Sequence, residues 1–334
     1  MKAIISIGGT AFTFNGSVGD PQQDTGYWIA EDGIEGWLGM PGQQTSVTAR
    51  GQGDGNHDVT DDAIHYASRT ITMHAMVSGD AQAGEEESRA LMLRRFDALR
   101  KCAHRHARLR VIDGARTSYA PDAWCEGRMT VEAKPTGSTR ILGEVTVTLE
   151  CDRPEIQSTA THQARLYARD ATSGAKSIGM SYNQPGFVTW WQGVADNSPS
   201  VMDTASNVGA WGLAYPLTYK RADAGVTVTP HAGILTNGGT SRAYPTFTVN
   251  GPFPNGFRLE FPDLQASIAC TQPVYATPLV LDSRARTATV GGLDVSHTLT
   301  SRGFPVIQPG GDLRVILATG GAGWVECQSH DTWM

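Results

Sequence analysis

Apolar and polar residues alternate along most of this chain, and only one stretch changes to a helical period. In residues 68–79 (SRTITMHAMVSG), Ile71, Met73, Ala75 and Val77 fall on one face and Thr70, Thr72, His74 and Met76 on the other. That period of two predicts a strand with one buried face. The opening MKAIISIGGTAFTFNG reads as a first strand, its apolar patch being shorter than a signal-peptide core. Residues 127–154 predict a hairpin: Met129, Val131 and Ala133 line one arm, and Val145, Val147, Leu149 and Cys151 the other. Pro135, Thr136, Gly137 and Ser138 supply its turn. Between these strands, Met92, Phe96, Leu99 and Ala103 recur at helical spacing. With Glu85, Glu86 and Glu87 at one end and Arg100, Lys101 and His104 at the other, they predict a helix over about 84–104.

The pattern weakens from 156 to 205 and becomes almost purely β afterwards. Residues 244–253 alternate. Residues 256–270 alternate through Phe257, Leu259 and Phe261, turn at Pro262-Asp263, and resume at Ala266, Ile268 and Cys270. Residues 287–318 predict two further hairpins, about Gly291-Gly292 and Pro309-Gly310-Gly311, and GWVECQSHDTW the last strand. A turn signal every ten residues or so predicts a sandwich.

Composition narrows the function. The 334 residues suit two ordinary domains. A net charge of −6 without a lysine cluster argues against specific nucleic-acid binding, and no apolar run approaches the 20 or so residues of a membrane helix. Five cysteines without a CxxC pair predict reduced thiols in a cytoplasmically made protein. Asp54, Asp58, Asp61 and Asp62 crowd a glycine-rich stretch but miss the calcium-loop spacing, so residues 49–65 read as a solvated or interface-making loop. Cys102, His104 and His106 lack an evident fourth metal ligand and read as helix-terminal residues. Neither G-x-S-x-G nor HExxH occurs, so no enzyme chemistry and no cofactor is predicted.

The order of four segments carries a resemblance. GLAYPLTY (212–219) precedes VTVTPHAGILTNGGTSRAYPTFTVNGPFPN (226–255), followed by LVLDSRARTATVGGLDVSHTL (279–299) and PGGDLRVIL (309–317). This succession, a Gly-Leu-x-x-Pro segment, Asn237-x-Gly239 ahead of Pro245, Leu279-x-x-Asp282, a glycine hairpin and a Pro-Gly turn, resembles the phage distal tail proteins (Dit). Asp312 stands where that family commonly has Asn, and both suit a turn. The resemblance implies a mainly β chain of two domains. Residues 1–155 would form a β-sandwich or split barrel with one α-helix and 206–334 a galectin-like β-sandwich, while 156–205, which departs from the shorter members of the family, reads from its weakened pattern as a junction or extra strands. It implies a homohexameric ring, assembled head-to-tail at the tail tip of the virion, that joins the tail tube to host-recognition or baseplate proteins, with no membrane insertion.

Within that frame, Trp28, Ile34, Trp37, Arg50 and Asp54 are candidates for the subunit interface, because aromatics beside polar loops are common there. Asp54, Asp58 and Asp61 are candidates to face the lumen, where negative charge repels passing DNA. Two alternatives remain. Trp190, Trp191 and Trp211 could form an aromatic platform for a host-surface glycan, or the chain could be a tail-associated cell-wall hydrolase.

Overall fold

The computed structural model describes residues 1–16, 25–46, 48–60, 64–80, 82–114, 120–135, 142–168, 200–201, 220–221 and 231–334. Its contacts define two compact units, residues 1–159 with 332–334, and residues 160–331.

The first unit contains β1 (Lys2–Ile7), β2 (Thr10–Asn15), β3 (Tyr27–Glu35), β4 (Arg69–Ser78), α1 (Glu85–Arg100), β5 (His106–Ile112), β6 (Asp122–Pro135) and β7 (Leu142–Cys151). Hydrogen bonding runs β6-β5-β1-β2-β3-β4-β7, and β7 returns to β6, closing a seven-stranded barrel. Of the sandwich and split-barrel alternatives, the barrel is the one realised. Its thinnest seam is between β2 and β3, joined among the described residues by the parallel pair Asn15↔Trp28. The alternating sequence explains the rest: Ile71, Met73, Ala75 and Val77 all point into the core. The predicted β6/β7 hairpin forms with Met129↔Leu149, Val131↔Val147 and Ala133↔Val145 in register.

Helix α1 buries Met92, Phe96 and Leu99, the expected stripe. It stops at Arg100, short of the predicted end. Residues 101–104 form turns instead, and His104 adopts a left-handed backbone (φ 62). The cause is tertiary: the His104 N–H bonds to the Met129 carbonyl of β6 at 2.7 Å and so cannot continue the helix.

Arg69 opens β4 and is 2% exposed. Its guanidinium donates to the carbonyls of Pro154 (2.7 Å), Gly36 (2.7 Å), Gly39 (2.6 Å) and, more weakly, Trp37 (3.3 Å). A planar fork of donors suits such a carbonyl cradle, and the bonds offset the cost of burying the charge.

The second unit is a two-sheet sandwich. Strands β8 (Ile156–Tyr167) and β20 (Trp324–Trp333) have residues in both units, and β20 also neighbours β12 (Thr246–Asn250), β12 neighbours β15 (Leu279–Asp282), then β16 (Thr287–Val290) and β17 (Leu293–Asp294). The second sheet has the order β11 (Ala232–Thr236), β19 (Asp312–Leu317), β13 (Phe257–Phe261), β14 (Ala266–Cys270) and β18 (Leu299–Arg302). A separate two-residue ladder pairs β9 (Ser200–Val201) with β10 (Lys220–Arg221). Phe247 of one sheet meets Phe261 of the other with ring centroids 5.5 Å apart, and Leu259, Leu281, Val315 and Val325 complete the same core.

The hairpin about Gly291-Gly292 forms as the sequence predicts. Both glycines have positive φ (57° and 86°), which a two-residue turn of this kind requires. The hairpin expected about Pro309-Gly310-Gly311 does not form. Strand β19 exists, but it lies between β11 and β13, while β18 lies beyond β14. Residues 303–311 carry the chain across: Gly303 N–H bonds to Ser267 O at 2.8 Å, and Ile307 bridges Ala243. A Pro-Gly turn signals reversal of direction but does not name the strand that will be the partner.

Candidate interaction surfaces

The glycine-rich stretch between β3 and β4 folds back on itself. Near its base the Ala67 N–H bonds to Gly42 O (2.7 Å), Gln43 bridges Tyr66, and the Gln44 N–H bonds to His65 O (2.9 Å). Farther out Ala49 bridges Asn56, and the Arg50 N–H reaches Gly55 O at 3.1 Å around Gly51, Gln52, Gly53 and Asp54. The result is a two-legged arm exposed along most of its length. Its residues were legible as a polar loop but not as paired legs, because they lack the apolar alternation that marks a half-buried strand. A two-stranded arm without a hydrophobic face is marginal alone and gains most from covering by a partner.

Arg50 and Asp54 lie at the arm's tip, and Asp58 beside it; all three are exposed. Arg50 pairs with Asp58 at 3.0 Å. Asp58 is thus an exposed carboxylate with a cation beside it near the arm's tip. Asp61, Trp190, Trp191 and Trp211 lie outside the described residues.

Trp28 and Trp37 require a correction. They are 6% and 3% exposed, Trp37 being part of the barrel core, so neither ring is available at the surface of a single chain. Spacing beside glycines did not distinguish a rim aromatic from one folded inward. Ile34 is half-buried and packs against the same core.

Strand β3 also carries a feature the sequence did not signal. Ile29 pairs with Ala75 and Ile34 with Met73, so five steps on β3 oppose two on β4. Residues 30–33 (AEDG) therefore bulge outward, with Glu31 and Asp32 exposed at the bulge and Glu35 just beyond. Gly33 has φ 71 and open space around it, as a bulge turn needs.

Each unit also has a cleft among its described residues. In the barrel unit, a cleft of about 440 Å³ between α1 and β2 is lined by Thr10, Phe12, Arg94, Asp97, Lys101 and Arg105, among others. Three cations and one acid give it a positive balance. In the sandwich unit, a groove of about 680 Å³ has Val274, Leu279, Val290 and Val295 among its apolar wall residues. Gln272, Thr277, His297 and Thr298 add polar groups, and Tyr275 is 60% exposed at the same groove.

Charged and polar chemistry elsewhere is structural in character. On the barrel wall Arg110 grips Asp122 through two bonds (2.7 and 2.6 Å), which hold the Asp122 carboxyl below its usual range, helped by Thr159. Arg108 pairs with Glu126 and lies over the Trp124 ring at 4.1 Å. In the sandwich unit Thr236 Oγ1, His162 and Asp331 form a chain of 3.0 and 2.9 Å contacts, and Asp331 also accepts the Gly238 N–H at 2.6 Å. The order resembles a hydrolytic triad, but the carboxylate is engaged by a backbone amide and the three strands β11, β8 and β20 are held by the chain of bonds. Neither cleft includes these residues. No cluster of three or more His, Cys, Asp or Glu able to hold a metal occurs among the described residues, and no described helix is long and apolar enough to cross a membrane. All five cysteines are free thiols.

Neither protein-family profiles nor curated proteins match this sequence. Among solved structures, the fold is similar to the crystal structure of the SPP1 Dit (gp19.1) protein, a paradigm of the hub adsorption apparatus in phages that infect Gram-positive bacteria. The match has a TM-score of 0.51 at 10% identity and covers 92% of this chain and 94% of that one. At such identity the likeness establishes a shared fold, mainly β with a single long helix among the described residues.

Proposed function

We propose that this protein is a structural hub of a phage tail tip, working by assembly rather than by chemistry. In this reading copies of the barrel unit join head-to-tail into a six-membered ring that links the tail tube to the proteins of the host-recognition apparatus. The observation that carries the proposal is the exposed arm between β3 and β4, a paired backbone ladder with no hydrophobic face of its own. Such an arm has a physical rationale when a neighbouring chain covers it. The fold shared with a hub protein over nearly the whole chain supports the same reading. Heterologous contacts close into a ring when the rotation between subunits permits. Electron microscopy of the purified protein tests this: six-fold ring particles are expected, and a monodisperse monomer at every concentration would overturn it.

A second reading is favoured by the groove in the sandwich unit. An exposed tyrosine beside uncharged polar side chains and an apolar wall is chemistry that suits a neutral sugar, whose ring faces are apolar and whose edges carry hydroxyls. In that reading the hub also holds a cell-surface glycan. Glycan-array binding that survives Tyr275→Ala would count against it.

A further inference from the structure

The barrel unit carries two surfaces of opposite sign that find no salt-bridge partner among the described residues. One is the outward bulge of β3, with Glu31 and Asp32 at the bulge and Glu35 close behind. The other is the cleft between α1 and β2, where Arg94, Lys101 and Arg105 outnumber Asp97. All four cleft charges and all three bulge charges are exposed, and none takes part in a salt bridge among the described residues. Some other exposed charges on the barrel are matched across strands, as in Arg108–Glu126 and Arg128–Glu150.

We infer that the acidic β3 bulge of one copy seats in the basic α1/β2 cleft of the next. The inference rests on the ring reading above and gives it a chemical contact. Shape and sign both fit: one partner projects and is acidic, whereas the other is concave, basic and floored by Phe12 and Ala98. The two surfaces are different patches of one chain, so their pairing is heterologous and propagates from subunit to subunit. Charge complementarity of this kind fixes register and speeds encounter, and its strength falls with salt. The arm is the weaker occupant for the cleft, because Asp58 is already paired with Arg50.

The test is a charge-reversal exchange on the full chain. The variant Arg94→Glu/Arg105→Glu and the variant Glu31→Lys/Asp32→Lys are purified, and assembly is followed by light scattering and electron microscopy. Each variant alone should need a protein concentration about tenfold or more above wild type to assemble, and mixing the two should recover most of that loss. Raising salt should weaken wild-type assembly. Thermal melting verifies that each variant folds, and Arg94→Gln/Arg105→Gln provides a milder form that should show the same trend. If wild type forms rings and the folded variants form them equally well, or the mixture recovers nothing, this contact is wrong while the ring reading stands. If wild type forms no assembly at all, both are overturned.

Discussion

Arg69→Met should be among the most damaging single changes in the barrel unit. The side chain is 2% exposed, and its guanidinium serves three carbonyls at 2.7 Å or less and a fourth at 3.3 Å. Methionine fills much of the stem volume but donates nothing. Hydrogen bonds from a charged donor contribute about 1.5–3 kcal/mol each. Two of the strong acceptors, Gly36 and Gly39, belong to a loop that can move toward water and recover part of that loss. Relief of the buried charge returns some more. A net loss of about 3 kcal/mol follows, at the lower end of what breaking a buried charge network costs. With a urea slope of about 2 kcal/mol/M, the unfolding midpoint should drop by roughly 1.5 M. Tryptophan fluorescence is a suitable probe, since Trp28 and Trp37 are buried in this unit and Trp37 follows the loop that Arg69 holds. Arg69→Lys keeps the charge but not the planar fork and should fall between the two. An Arg69→Met midpoint within about 0.3 M of wild type, against that slope, would refute the view that the carbonyl cradle holds the loop.

Three other outcomes are expected. Gly292→Val places a branched side chain at φ 86 and should destabilise the sandwich unit by about 1–2 kcal/mol, read as a lower melting temperature. The Asp122 carboxyl is held below its usual range by Arg110, so its contribution exists above the unfolded-state value of about 3.9 and disappears as pH falls through the lower folded value. The pair is partly exposed, so the stability gap between wild type and Asp122→Asn should be under about 1 kcal/mol at neutral pH and should close in the acid range; a gap independent of pH would contradict it. Thiol labelling of the native protein should modify Cys102 first, because it is only half-buried while the other four cysteines are buried, and burial drives the Cys327 thiol upward; rapid labelling of Cys327 without unfolding would be inconsistent with the core as described.

What could be read from the chain and what could not divide along a physical line. Alternation fixes which face of a strand is buried, because a one-residue slip would turn every side chain outward. Hence the inward sets of β4, β6 and β7, the stripe of α1 and the Gly291-Gly292 turn followed from local spacing alone. The order of four segments in the second half also anticipated the fold shared with SPP1 Dit. Partner choice is different, since it depends on contacts far apart in sequence. Nothing near Pro309 indicates that β19 must cross to lie between β11 and β13, and nothing near His104 indicates that Met129 will end the helix. The same holds for the surfaces. Trp28 and Trp37 are buried, the legs of the arm are joined mainly by backbone bonds, and the β3 bulge exists only relative to the register of β4. Local periodicity specifies which side of an element is apolar. Only the closed barrel and the stacked sheets decide which elements meet, and therefore which charges are left facing outward.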